Sequence, residues 1–153
     1  MAVESSQTVA PSGAPQSLPS RIVLFDGVCV FCDRFVRWLI DRDPAARLRF
    51  APLQGETAAA LRRAHPEIPD AVATLVYVDA SDGSVRVFLR SEAALRVLAE
   101  IEGPWRRLAC LSRLPRGCTD LAYRLFARVR YRVFGRRSDC RVPSAAERSR
   151  CLD

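Results

Sequence analysis

Cys29 and Cys32, with two residues between them, and Asp26, three positions ahead of Cys29, are the side chains best placed by type and spacing to do chemistry. A C-x-x-C pair can supply half of a zinc site, or it can cycle between dithiol and disulfide. Tetrahedral zinc would need a second close pair. Cys110 and Cys118 are separated by seven residues, Cys140 and Cys151 by ten, and the single histidine, His65, stands beside a proline. None of these has zinc spacing, so no metal site is expected. The redox reading is preferred to zinc, and also to two buried thiols without chemistry.

The local pattern supports that preference. Residues 22–25 (Ile-Val-Leu-Phe) form the short apolar run of a buried strand, and Asp26-Gly27 is a turn signal. From Cys29 onward the spacing is helical, with Cys32, Val36, Leu39 and Ile40 near one face. The dithiol therefore falls at a helix entrance, where unpaired N–H groups and the helix dipole favour a thiolate. Positions i and i+3 share a face, so the sulfurs can close a disulfide with little backbone movement. Cys29, nearer the helix start, is expected to be the more exposed thiol and the nucleophile. Cys32, one turn deeper, is expected to resolve the mixed disulfide. Asp26 is read either as a cap or turn residue or as a proton relay to the thiols, and the pattern does not separate the two. Asp33 opposes thiolate formation nearby, while Arg34 and Arg37 oppose Asp33.

At 153 residues the chain fits one domain with its own core. No window approaches the ~18 continuous apolar residues of a membrane helix. Residues 1–20 are rich in Ser, Pro, Ala and Gln, lack a secretion-signal pattern, and read as a disordered tail. All 24 basic residues are arginine, and the net charge is +7. Six cysteines without a signal peptide point to thiols in a reducing, cytoplasmic setting, with any disulfide transient and catalytic.

Elements that position the dithiol follow in order. Residues 47–51 alternate as a second strand, 55–64 read as a helix, and 73–78 are the strongest strand pattern. A turn cluster at 79–83 leads to a strand at 84–89, and Ser91 is a plausible N-cap for a helix to about Ile101. The order β-α-β-α-β-β-α describes a thioredoxin-like α/β sandwich over residues 21–103. Residues 104–153 form a basic helical extension expected to pack on it. Between Pro104 and Arg137 ten arginines stand against one acid, Asp120. Two helices are expected there, roughly 105–113 and 118–134. On the second, Ala122, Phe126, Val129 and Val133 make an apolar stripe, while Arg124, Arg128 and Arg132 lie away from it. Cys110 reads as core, and packing is preferred over activation for Cys118. Cys140 and Cys151 could pair, with unpaired thiols the default. His65 reads as a loop residue. The pairs Asp41/Asp43 and Glu100/Glu102 read as solvated caps.

Residues 24–32, Leu-Phe-Asp-Gly-Val-Cys-Val-Phe-Cys, resemble the signature of the DCC family, predicted thiol-disulfide oxidoreductases named for that Asp, Cys and Cys. Phe50-Ala51-Pro52-Leu53-Gln54, Ser91-x-Ala93, Tyr123, Arg130-Tyr131-Arg132 and Cys140-Arg141-Val142-Pro143 are similar to later parts of the pattern, over about residues 21–152. The resemblance implies a thioredoxin-like fold with Cys29 and Cys32 as the redox pair. Val30-Phe31 replaces the Gly-Pro of thioredoxin, Ala73 stands where thioredoxins carry a cis-proline, and Cys151 stands where the DCC pattern favours an aromatic residue.

The preferred function is thiol-disulfide exchange on a protein or small-molecule disulfide, of the protein-disulfide reductase type. It needs no cofactor, and a thioredoxin- or glutathione-type thiol would donate electrons. The alternative is a thioredoxin-like binding adaptor or redox sensor using the basic last helix. A monomer without nucleic-acid binding is expected. Arg124, Arg128 and Arg132 offer a weak contact with an anionic surface.

Overall fold

The computed structural model describes residues 19–71, 73–139 and 142–153. The expected tail therefore lies almost wholly outside the described residues, as do Val72, Cys140 and Arg141. In chain order the elements are β1 (Arg21–Phe25), α1 (Val30–Asp41), β2 (Arg49–Pro52), α2 (Glu56–Ala64), β3 (Val76–Asp79), β4 (Arg86–Leu89) and α3 (Arg90–Glu100). A 3₁₀ segment, η1 (Pro104–Arg113), then α4 (Arg116–Phe134) and α5 (Ala145–Arg148) complete the chain.

β1 is central because it is apolar on both faces. The sheet order is β2-β1-β3-β4, with β1 parallel to β2 and antiparallel to β3, and β3 antiparallel to β4. This is the thioredoxin-like arrangement. Alternation along β1 splits the core in two. Val23 joins Val36 and Leu39 of α1, Phe50, Tyr77, and Ala93 and Val97 of α3 on one face. Ile22 and Leu24 join Ala58 and Leu61 of α2, Val76 and Val78 on the other. The start of α1 is thus held between the sheet and whatever covers its outer side.

That cover is the extension. Phe31, Phe35 and Trp38 line the outer side of α1 in a stacked ladder, with centroids 6.2 and 5.9 Å apart. Phe126 and Phe134 of α4 close on Phe31 at 4.7 and 5.0 Å, and Trp105 of η1 meets Trp38 edge-on at 5.0 Å. The C-terminal residues run beside β2: Phe50 N–H donates to Arg150 O (2.9 Å) and Leu152 N–H donates to Phe50 O (2.9 Å). The Asp153 carboxylate accepts from Thr57 N–H (3.3 Å) at the start of α2.

Several expectations are corrected. β3 begins at Val76, not at residue 73, and the segment expected as helix 105–113 is 3₁₀. Leu89, not Ser91, occupies the α3 N-cap, and the Ser91 hydroxyl instead donates to Asp120 Oδ1 (2.6 Å) on α4. α5 was not anticipated. Cys110 and Cys118 are exposed rather than packed. Asp43 is not a solvated cap. It is buried, accepts from Arg47 N–H (3.2 Å) and Leu48 N–H (2.9 Å), and pairs with the buried Arg150. The Arg150 guanidinium also donates to the Leu48 carbonyl (3.1 Å) and the Asp43 carbonyl (3.2 Å).

Truncating one partner of such a buried pair strands the other charge. Arg150→Ala is expected to lower stability by about 3–5 kcal/mol, read as a lower urea midpoint at unchanged slope.

Candidate active site

The site is built where β1 ends. Asp26 closes a tight turn in which Cys29 N–H donates to its carbonyl (3.2 Å). Its side-chain Oδ1 accepts from Val28 N–H (3.2 Å) and from Gln54 Nε2 (3.1 Å). Gln54, just after β2, returns its Oε1 to Gly27 N–H at 3.1 Å. The turn is therefore fixed from both adjacent parallel strands.

Cys29 is the N-cap of α1, with φ −82° and ψ 120°, and its Sγ accepts from Cys32 N–H at 3.4 Å. The cap role proposed for Asp26 is thus taken by the thiol itself. A sulfur that accepts a helix N–H is placed where negative charge is best tolerated. Cys32 lies one turn further in, so both sulfurs share the helix entrance.

α4 completes the site. The Arg130 guanidinium is buried, with Nη1 3.3 Å from Cys32 Sγ and Nη2 3.3 Å from Asp26 Oδ2. Tyr131 OH donates a short hydrogen bond to the same Asp26 oxygen and accepts from Arg130 Nη2 at 3.2 Å. Asp26 thus reaches Cys32 through a guanidinium. Arg130, Tyr131 and Gln54 were not singled out for chemistry in the sequence. They stood only as later parts of the family resemblance, because their contacts span 28 to 105 positions along the chain.

The expectation that Cys29 is the more exposed thiol is corrected. Both thiols are buried, with Cys29 at 1% and Cys32 at 7% relative exposure. The segment after α4 runs beside Cys29. Gly135, at φ 84°, redirects the chain in a region that favours glycine. Arg136 then pairs with Cys29 in an isolated antiparallel bridge, and Arg137 N–H donates to Val28 O at 2.8 Å. Arg137 Nη1 also meets Asp33 Oδ2 at 3.3 Å, and Arg37 meets the same oxygen at 3.5 Å, so Asp33 is offset by cations. A cavity of about 690 Å³ lies elsewhere, between β4, α3, η1 and α4.

Electrostatics follow from this enclosure. Burial pushes the Cys32 thiol well above its ordinary range; Arg130 draws it down and a charged Cys29 raises it. Burial, then Asp26, pushes the Tyr131 phenol up to about 12. Burial also raises Tyr123, which sits near Cys32 and beside Thr74. Burial works against the Arg130 charge, but Cys32, Tyr131 and Cys29 outweigh it and hold the guanidinium above its ordinary value. Among the described residues no cluster could hold a metal ion.

Two outcomes are expected. Groups whose folded pKa is raised stabilise the fold fully below their unfolded values and lose that contribution as pH rises toward the folded ones. For Tyr131 the window runs from its ordinary value of 10 up to about 12. The melting temperature should fall across it, and Tyr131→Phe should flatten that fall. Secondly, Arg130→Gln strands Asp26 and should cost about 3–5 kcal/mol. The Arg130→Gln, Asp26→Asn double variant should cost less than the sum of the two single changes, read by denaturant melts.

The comparisons with known proteins fit this geometry. Residues 23–136 match the family described as DCC1-like thiol-disulfide oxidoreductase. The chain is 34% identical over 137 residues to the uncharacterized protein YuxK of Bacillus subtilis, covering 90% of this chain and 97% of that protein. It is also 34% identical over 122 residues to a chloroplastic DCC family protein of Arabidopsis thaliana, covering 79% of this chain and 69% of that one. No solved structure matches the chain. Residues 23–136 hold every side chain of the Asp26–Arg130–Cys32 contact, and the chain belongs to the DCC1-like thiol-disulfide oxidoreductase family.

Proposed function

We propose that the chain exchanges disulfides through the Cys29–Cys32 dithiol, acting as a reductase of protein or small-molecule disulfides. The Arg130 guanidinium against Cys32 Sγ is the observation that carries this reading. An inert buried thiol has no use for a buried cation, whose desolvation costs several kcal/mol by general estimates.

The Cys29 thiolate, held at the helix N-cap, attacks one sulfur of the substrate disulfide. A Cys29–substrate bond forms and the other substrate sulfur leaves as a thiolate. Cys32 then gives its proton to the departing substrate thiolate, its own anion is balanced by Arg130, and it attacks the Cys29 sulfur. The second substrate thiolate leaves, Cys29 and Cys32 end as a disulfide, and two electrons have passed to the substrate. An external thiol of the thioredoxin or glutathione type restores the dithiol. Asp26 and Tyr131 hold Arg130 in register, and the Arg130 Nε, buried without a hydrogen-bond partner among the described residues, is a donor left for an incoming acceptor. Exchange requires the Gly135–Arg137 strap to move aside, because it runs beside Cys29.

Burial of both sulfurs favours a second reading, a redox sensor or binding adaptor in which the dithiol reports rather than turns over. The two readings separate cleanly. In the first, Cys32→Ser accumulates a mixed disulfide on Cys29 with a small aromatic disulfide, and wild-type protein releases two thiols per dithiol with turnover when an external thiol is supplied. Mass spectrometry that finds no adduct, together with absent turnover, would leave only the sensor or adaptor. In that case the Cys29→Ser, Cys32→Ser double variant would keep its partners.

A further inference from the structure

α4 turns polar groups inward: Arg130 and Tyr131 serve the dithiol and Asp120 takes the Ser91 hydroxyl, beside Tyr123, which packs on the core. Ala122, Phe126, Val129 and Val133, the stripe expected to pack on the core, are exposed, and Leu121 and Leu125 beside them extend the apolar surface. Leu121, Leu125, Val129 and Val133 are 59%, 54%, 50% and 64% exposed, while Phe126 and Phe134 set their rings against Phe31. Arg124, Arg128 and Arg132 recur every four residues along one flank of this stripe and have no ion-pair partner among the described residues. Just upstream, η1 exposes Trp105, Leu108 and Leu111 between Arg106, Arg107 and Arg113.

We propose that the outer face of α4 docks on an anionic lipid bilayer, lying in its interface. The chemistry of the face selects this occupant. Its outer positions carry aliphatic side chains and guanidinium groups, with no amide, hydroxyl or carboxylate among Leu121, Leu125, Arg128, Val129, Arg132 and Val133. A protein partner would meet no acceptor there to pair with its own donors. A second copy would lay arginine against arginine, since the only acid between 104 and 137 is Asp120, which is turned to Ser91. A bilayer asks for neither shape nor acceptors: acyl chains take the leucines and valines, and phosphates take the arginines. The helix, 19 residues or about 28 Å long, lies on the surface rather than across it. Among the described residues no helix is long and apolar enough to cross a membrane. The proposal does not depend on the dithiol reaction.

The test is flotation of the full chain with vesicles of phosphatidylcholine alone or mixed with phosphatidylglycerol. Wild-type protein is expected to float with the mixed vesicles, and high salt should weaken the binding. Arg124→Gln, Arg128→Gln, Arg132→Gln together should reduce partitioning on the order of a hundredfold. Leu121→Ser, Leu125→Ser, Val129→Ser together should reduce it by about tenfold or more. All six residues are exposed, and an unchanged thermal melt would verify that each variant is folded. Three results would overturn the proposal. One is no flotation with either vesicle. Another is serine-variant binding equal to wild type, which would mean charge adsorption alone. The third is a wild-type dimer, dissolved by the serine changes, that ignores vesicles and so covers the face itself.

Discussion

A guanidinium buried between a thiol and a carboxylate is the constraint the rest of the molecule satisfies. Arg130 must be desolvated to reach Cys32, and a desolvated cation persists only with an opposite charge and acceptors close to it. Asp26 is that partner, and it too is fully buried. Asp26 in turn needs donors, and it finds them in Val28 N–H, Gln54, Tyr131 and Arg130. The Asp-Gly turn, the residues after β2 and the inner side of α4 are therefore one electrostatic unit. It explains why the extension cannot be separated from the thioredoxin-like core: residues beyond a minimal fold supply the cation for its dithiol.

The same unit accounts for the odd character of α4. A helix packed on a core usually buries an apolar stripe. Here the buried side is already committed to a polar network, so the apolar residues are displaced outward. What fixes the helix in place is the aromatic seam of Phe31, Phe126 and Phe134 at its end and the Ser91–Asp120 bond at its start. These attachments are few, and the outer surface contributes nothing to folding.

Local patterns in the sequence carried much of the fold. The apolar run of β1, the turn at Asp26-Gly27 and the helical spacing after Cys29 each depend on neighbours within a few positions, and the structure has all three. The amphipathic stripe on α4 was equally legible, but its direction was not. Periodicity shows that one face is apolar; it does not show which face is turned inward when a buried arginine competes for the inner one. Cys110 is exposed although its neighbours in sequence are apolar, because such a run shows a face and not what covers it, and Cys118 is exposed at the start of α4. Asp43 failed in the opposite sense, because its partner Arg150 lies 107 positions away. Arg130 and Tyr131 were visible only as a short motif without a role.

Burial of the dithiol sets the terms on which it can react. Enclosure removes water from Cys32 and so works against its anion, while the nearby guanidinium works for it. With the site closed, the burial contribution is the larger and the thiol stays protonated. In the exchange proposed above, entry of a substrate sulfur would reduce the desolvation of Cys32 while Arg130 stayed held by Asp26 and Tyr131, and the balance would shift toward the thiolate when Cys32 has to resolve the mixed disulfide. A dithiol closed at rest is also protected from over-oxidation, which follows thiolate character and exposure. Enclosure and reactivity are thus compatible here because the cation is anchored to the turn of β1 rather than to the segment that has to move.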